Sequence, residues 1–238
     1  MSALLFTVSA ALAVRLCASM SAMGEMPMPG GWTMTMAWMR MPGQTWLAAA
    51  TSFLGMWIVM MTAMMLPSLV PTLWRCRSRL IALVAMGYFF VWTALGFIVF
   101  PLGAMVTTLE MRQPAVARAA PIAFGLVVLI AGAFQFTERK TRHLACCRGT
   151  DHNRALPMDV RAAVRYGVRL GMHCCYCCAG LTAILLVAGV MDVRVMAVVT
   201  AAITVERLAP RAERFAEAIG SIVLAAGLFL IARAVGLG

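Results

Sequence analysis

Several apolar runs, each approaching the roughly 20 residues that a helix needs to cross a bilayer, constrain this chain more than any other feature in it. Inside hydrocarbon every backbone N–H and C=O must find a partner within the protein, and a helix satisfies them within one segment. Of the 238 residues 63% are hydrophobic and only 12% are charged, about half the charged fraction of an ordinary soluble domain. The expected fold class is therefore all-α: a polytopic transmembrane helical bundle of about six to seven spans, with no sizeable soluble domain left over.

The formal net charge is +11, carried almost entirely by arginine. A basic balance of this kind also suits nucleic acid, but here the charges sit in short loops between apolar segments. They read as topology signals, because positive loops stay on the cytoplasmic side. Membrane lipid is the expected partner and nucleic acid is not.

Three regions follow along the chain. Residues 1–19 form a marginal N-terminal span: the run is short and contains Arg15, and a signal peptide would put its positive charge ahead of the apolar stretch. Residues 20–45 form a Met-rich segment in which Pro27, Pro29, Gly30 and Gly31 oppose a regular helix at first. Thr33 to Met41 could form a short interfacial helix. Residues 46–238 form the helical membrane domain, with spans at about 46–69, 80–105, 119–136, 170–190 and 215–235. Pro67 and Pro71 are expected to end the first of these. Residues 195–205 are too short to cross alone, so that helix borrows its flanks or is a half-helix. The basic loop 138–169 is expected to be cytoplasmic.

Loops 75–79, 139–169 and 207–214 hold fourteen basic residues, against four in the intervening loops at Arg40, Arg112, Arg118 and Arg194. The first set is therefore assigned to the cytoplasm. The Met-rich segment then faces outward, and the cysteines after residue 170 lie at the inner mouth of their helix. With seven spans the N-terminus is inside and the C-terminus outside.

Sulfur is concentrated at two stations. Cys174-Cys175-Tyr176-Cys177-Cys178 puts four thiols into little more than one helical turn. On a helix Cys174, Cys177 and Cys178 share a face at i, i+3 and i+4, and Cys175 and Cys178 are also i, i+3 neighbours. His173 precedes them as a further ligand or base. A buried free cysteine is ordinary packing, but four in five positions point to a soft metal or to thiol chemistry. Cys146 and Cys147, with His143 and His152 nearby, lie on the same expected side, and the two groups meet if their helices pack. Cys17 and Cys76 stand alone and read as incidental.

The second station is Met20, Met23, Met26, Met28, Met34, Met36, Met39 and Met41. Thioethers need no deprotonation and form no disulfides, which suits capture of Cu(I) on an oxidising face. The competing reading is an adaptable apolar surface anchored by Trp32, Trp38 and Trp46. Between the stations Met56, Met60 and Met64 recur every four residues, as do Met61 and Met65. They serve either to pass a soft cation inward or to pack the helix. Glu206 beside Arg207 reads as a juxtamembrane ion pair. No Ser-His-Asp set, phosphate loop or His-rich oxygen-activating motif is present.

The motifs carry a resemblance. Trp57-Ile-Val-Met-Met-Thr-Ala-Met-Met-Leu-Pro-Ser68, Gly87-Tyr88 followed by Trp92, Ala131-Gly-Ala-Phe-Gln135, the cysteine cluster, Gly189-Val-Met191, Met196 and Glu206-Arg207 occur in this order. Together they resemble the successive signatures of a bacterial family of integral membrane proteins predicted to bind metal. That family includes a membrane protein of a tyrosinase operon, regarded as a copper chaperone for the oxidase. The likeness runs from about Met34 to the last helix. Against a family pattern of Cys-x-x-Cys-Cys-Trp, Cys174, Cys177 and Cys178 match, Cys175 is additional and Ala179 replaces the tryptophan. Of two cysteines in the family's basic stretch Cys147 matches, and His143 stands near the other.

The resulting expectation is a non-enzymatic, multi-pass protein of the bacterial cell inner membrane. It handles Cu(I), or another soft metal, for delivery to a client cuproenzyme. Its ligands are drawn from Cys174, Cys175, Cys177, Cys178, Cys147, Cys146, His173, Met60, Met64, Met34 and Met36. The alternatives are a copper or mercury permease, and a membrane thiol oxidoreductase cycling a disulfide against a quinone. The sequence sets no oligomeric state.

Overall fold

A computed structural model describes every residue except 1, 22–25, 29–31, 35–37, 41–42, 75–79, 149–158, 191 and 237–238; for 2–5, 20–21, 26–28, 32–34, 73–74 and 148 it describes the backbone alone. In chain order the elements are α1 (Ser2–Ser21), β1 (Met26–Met28), β2 (Trp32–Met34), α2 (Trp46–Trp74), α3 (Ile81–Arg112), α4 (Pro114–Phe134), α5 (Glu138–Arg148), α6 (Val160–Ala188), α7 (Val193–Leu208) and α8 (Ala212–Ala234). The fold is a helical bundle, and five of its helices (α2, α3, α4, α6 and α8) are long and apolar enough to cross a membrane. α1 runs over Ser2–Ser21, with Phe6–Ser19 an apolar run among its described side chains, and α7 has 16 residues, about 24 Å at 1.5 Å per residue.

Several boundaries differ from the sequence reading. α2 continues through both Pro67 and Pro71 to Trp74, because inside a bundle neighbouring groups re-satisfy the backbone that a proline frees. The stretch expected as a basic loop is largely helical: α5 occupies its start and α6 begins at Val160, while 149–158 lie outside the described residues. Arg161, Arg165 and Arg169 are exposed at steps of four, so the early turns of α6 carry a charged face that hides the helix from a hydropathy reading. The cysteines consequently sit at mid-helix rather than opening it. In place of a helix from Thr33, β2 pairs antiparallel with β1, Met26 opposite Met34.

α2 is the most deeply buried of the five long helices and α8 the least. Its inner side carries Trp57, Met60, Met61, Met64, Met65 and Leu69, all buried. The outer helices instead expose large apolar side chains, among them Phe90, Phe97, Ile98, Ile130, Ile222 and Phe229, the surface a lipid-embedded bundle presents.

Two helix contacts position the site. α3 and α6 run parallel and cross where Gly87 faces Val164 and Val168 and Gly167 faces Val84 and Tyr88; a Cβ on either glycine would collide with the opposing backbone. Small residues at such crossings let helices in lipid approach closely. α2 runs antiparallel to α3, and the indole N–H of Trp57 donates to the carbonyl of Trp92 at 2.9 Å. Gly96 leaves room for that indole, since a Cβ there would meet the Trp57 ring. α4 and α8 pack antiparallel, with Gly125 and Gly132 on one and Gly220 and Gly227 on the other. These directions bring the C-termini of α2 and α7 and the N-termini of α3, α6 and α8 to one end. At the opposite end Trp38 packs on Phe53, ring centroids 5.0 Å apart.

Candidate metal centre

The helical spacing of Cys174, Cys177 and Cys178 turns three thiols to the bundle interior, where their sulfurs all lie within 4.8 Å of one another. Cys177 and Cys178 are 3.5 Å apart, and Cys174 and Cys178 3.9 Å. α5 adds a fourth thiol, Cys147, 3.7 Å from Cys177. α2 adds a thioether: the Sδ of Met65 is 3.9 Å from the Sγ of Cys174. All five residues are essentially inaccessible, none above 2% exposed. Two sulfurs on one ion, each bonded at about 2.3 Å, sit roughly 3.8–4.6 Å apart depending on the bond angle. The observed spacings of 3.5–3.9 Å are those of sulfurs in contact, at or slightly inside the separations that a shared soft ion would set.

The surroundings favour thiolate. Tyr88 donates its hydroxyl to the sulfur of Cys174 at 2.9 Å. Nη1 of Arg207 donates both to the same sulfur, 3.3 Å, and to the hydroxyl of Ser68, 2.9 Å. Arg207 is only 4% exposed, and its Nε and Nη2 have no hydrogen-bond partner among the described residues. A guanidinium stays charged in any protein environment, and a buried charge needs a counter-charge. The sulfur of Cys174 is the group placed to supply it. Cys147 differs: hydrogen bonds with Cys174 and then Cys177, and burial after those, hold its thiol well above the usual range.

Arg207 and Glu206 do not pair with each other, contrary to expectation. Successive helix residues point about 100° apart, and Glu206 instead meets Lys140 of α5 at 2.8 Å and Nε2 of Gln135 at 3.1 Å. Lys140 and Glu206 are 1% and 2% exposed. This buried pair clamps α5, and with it Cys147, against α7.

The residues named from sequence divide clearly. Cys174, Cys177, Cys178 and Cys147 converge. Cys175 is partly exposed and makes no sulfur contact among those described, because it points about 100° round the helix from Cys174. Cys146 is likewise partly exposed, off the cluster face of α5. His173 turns away from the sulfurs to His143, their Nδ1 atoms 2.9 Å apart. Met60 and Met64 are buried in the core, but the methionine at the cluster is Met65. The backbone of Met34 belongs to β2, and Met36 lies outside the described residues. Met65, Tyr88, Ser68 and Arg207 were not named as site residues, although each stands within a motif. The rule that ionisable groups within a bundle mark function was the available signal for Arg207.

The family model for the PpoB2 copper chaperone matches residues 54–230. The chain belongs to the PpoB2 copper chaperone family. Every residue of the sulfur cluster and its polar surround lies within the match, whereas the Met-rich segment before residue 46 lies outside it. Family and buried cysteine cluster together support copper-related metal handling by a helical, membrane-type bundle. No curated protein and no solved structure matches the chain.

Proposed function

We propose that this protein receives Cu(I) at a sulfur site buried in a bacterial inner membrane and delivers it to a client cuproenzyme, without catalysing a reaction of its own. The observation that carries this reading is the buried trio of Cys174, Cys177 and Cys178, with the thiol of Cys147 against Cys177 and the thioether of Met65 against Cys174. Thiolates and thioethers select Cu(I) over harder ions. Two thiolates on a monovalent ion leave one negative charge, which Arg207 balances, so the loaded site is neutral in a low-dielectric interior. In this scheme Cys174, already anionic, and one thiol among Cys147, Cys177 and Cys178, which loses its proton on loading, are the two thiolates; the other thiols stay neutral, and Met65 adds a neutral soft donor. Tyr88 and Arg207 hold the sulfur of Cys174 in place and keep it anionic. The outer methionines, Met34 and Met36 among them, serve capture on the far face.

The test is anaerobic purification from copper-fed cells, followed by elemental analysis and a Cu(I) competition titration. About one tightly held copper per chain is expected, with the affinity lost in C177S/C178S. Protein that carries no copper, or a double variant that binds as tightly as the parent, would overturn the reading. The methionines that precede Met65 along α2, Met56, Met60, Met61 and Met64, favour one second reading, a permease. Saturable, cysteine-dependent flux of copper into proteoliposomes would replace delivery by transport.

A further inference from the structure

α5 and α6 run side by side in the same direction, and two pairs of residues meet across them one turn apart. Cys147 and Cys177 are 3.7 Å apart; His143 and His173, each four residues earlier, bring their Nδ1 atoms to 2.9 Å. Four residues are one helical turn, about 5.4 Å, so the imidazole pair stands directly beyond the first thiol pair. Both histidines are only partly buried, unlike the sulfurs behind them. Tyr176 stacks on His143, ring centroids 4.9 Å apart at 17°, and fixes the plane of that ring. Inward of the imidazoles, sulfur follows sulfur without a gap wider than 3.9 Å: Cys147 to Cys177, Cys177 to Cys178 at 3.5 Å, Cys178 to Cys174, and Cys174 to Met65.

We propose that His143 and His173 are a second metal station, which takes one Cu(I) ion through its two Nδ1 atoms at the edge of the bundle and exchanges it with Cys147 and Cys177. The binding step stands on the ring geometry alone, and the exchange rests on the copper-delivery reading above. One imidazole now holds a proton on Nδ1 and the other accepts it. On binding, that Nδ1 proton leaves and the same ring takes a proton on Nε2, so both rings stay neutral and two metal–nitrogen bonds replace one hydrogen bond. Two such bonds of about 2.0 Å need the nitrogens to part by about 1 Å. No electron moves. Imidazole exchanges with thiolate more readily than thiolate releases a soft ion, which suits a station between the buried cage and a soluble donor or acceptor.

The experiment uses the full chain in detergent under anaerobic conditions, with Cu(I) as the probe. The variant C174S/C177S/C178S is expected to retain one Cu(I), with nitrogen rather than sulfur neighbours in X-ray absorption. Adding H143Q/H173Q is expected to weaken it by roughly tenfold or more. Equal binding with and without the histidine changes would overturn the proposal and leave the pair as a hydrogen bond docking α5 on α6. If the triple variant does not fold, the parent chain loaded with two equivalents decides: a nitrogen-ligated second copper that disappears in H143Q/H173Q supports the station, and sulfur ligation of both overturns it. Retention by the triple variant alongside a parent that never fills its cysteines would sink copper delivery from the cage while leaving the imidazole station standing.

Discussion

A guanidinium buried among thiols, with no carboxylate paired to it among the described residues, finds its counter-charge in sulfur. Nη1 of Arg207, 3.3 Å from Cys174, and the hydroxyl of Tyr88 on the same atom at 2.9 Å both stabilise a thiolate more than a thiol. A hydrogen bond to a charged group contributes about 1.5–3 kcal/mol, or roughly ten- to hundredfold in affinity. Arg207→Leu and Tyr88→Phe are each expected to weaken Cu(I) binding by that range in a competition titration. Arg207→Lys should recover part of the loss, since it keeps the charge but not the planar fork. A purely packing role would leave R207L and R207K equally impaired.

Between elements, the decisive polar contact is Lys140 of α5 on Glu206 of α7, 2.8 Å long and almost wholly buried. Breaking such a pair from one side strands a charge and costs about 3–5 kcal/mol, whereas replacing both partners with apolar groups is often neutral. Lys140→Met is therefore expected to lower the thermal unfolding midpoint in detergent markedly, and K140M/E206L to restore most of it. Because the same contact seats α5, the single variant should also loosen Cys147 from the cluster and lower Cu(I) affinity before the protein unfolds.

Across the whole molecule, proton and charge placement give two further expectations. Hydrogen bonds with Cys174 and Cys177 hold Cys147 above the usual thiol range, so below that raised value a copper ion taking its thiolate must expel a proton. Affinity is then expected to rise with pH, by about tenfold per unit for each proton released. Titrations at about pH 6 and pH 8 should show this, with a shallower slope in Cys147→Ser. The C-termini of α2 and α7 and the N-termini of α3, α6 and α8 collect on one side, where Arg161, Arg165, Arg211 and Arg214 lie, and Trp38 packs on Phe53 at the other. In intact cells a membrane-impermeant thiol reagent is expected to label a cysteine placed at Gln44 and to spare one placed at Arg139. The reverse pattern would invert the orientation and the direction of copper movement.

What the sequence determined on its own is local in origin. Apolar run length set the helical class, and the i, i+3, i+4 spacing was enough to put Cys174, Cys177 and Cys178 on one face. What only the tertiary structure decided is which distant residues meet that face. Met65 comes from 109 residues away and Cys147 from 30. Arg207 arrives at Cys174 from α7, while its neighbour Glu206 goes elsewhere. These meetings depend on helix crossings held close by contacts such as Gly87 with Gly167, and on which of several side chains about 100° apart points inward. Hydropathy averages over both, which is why α6 began ten residues before its expected start and why Cys175 and His173, adjacent in sequence to the cluster, stand outside it.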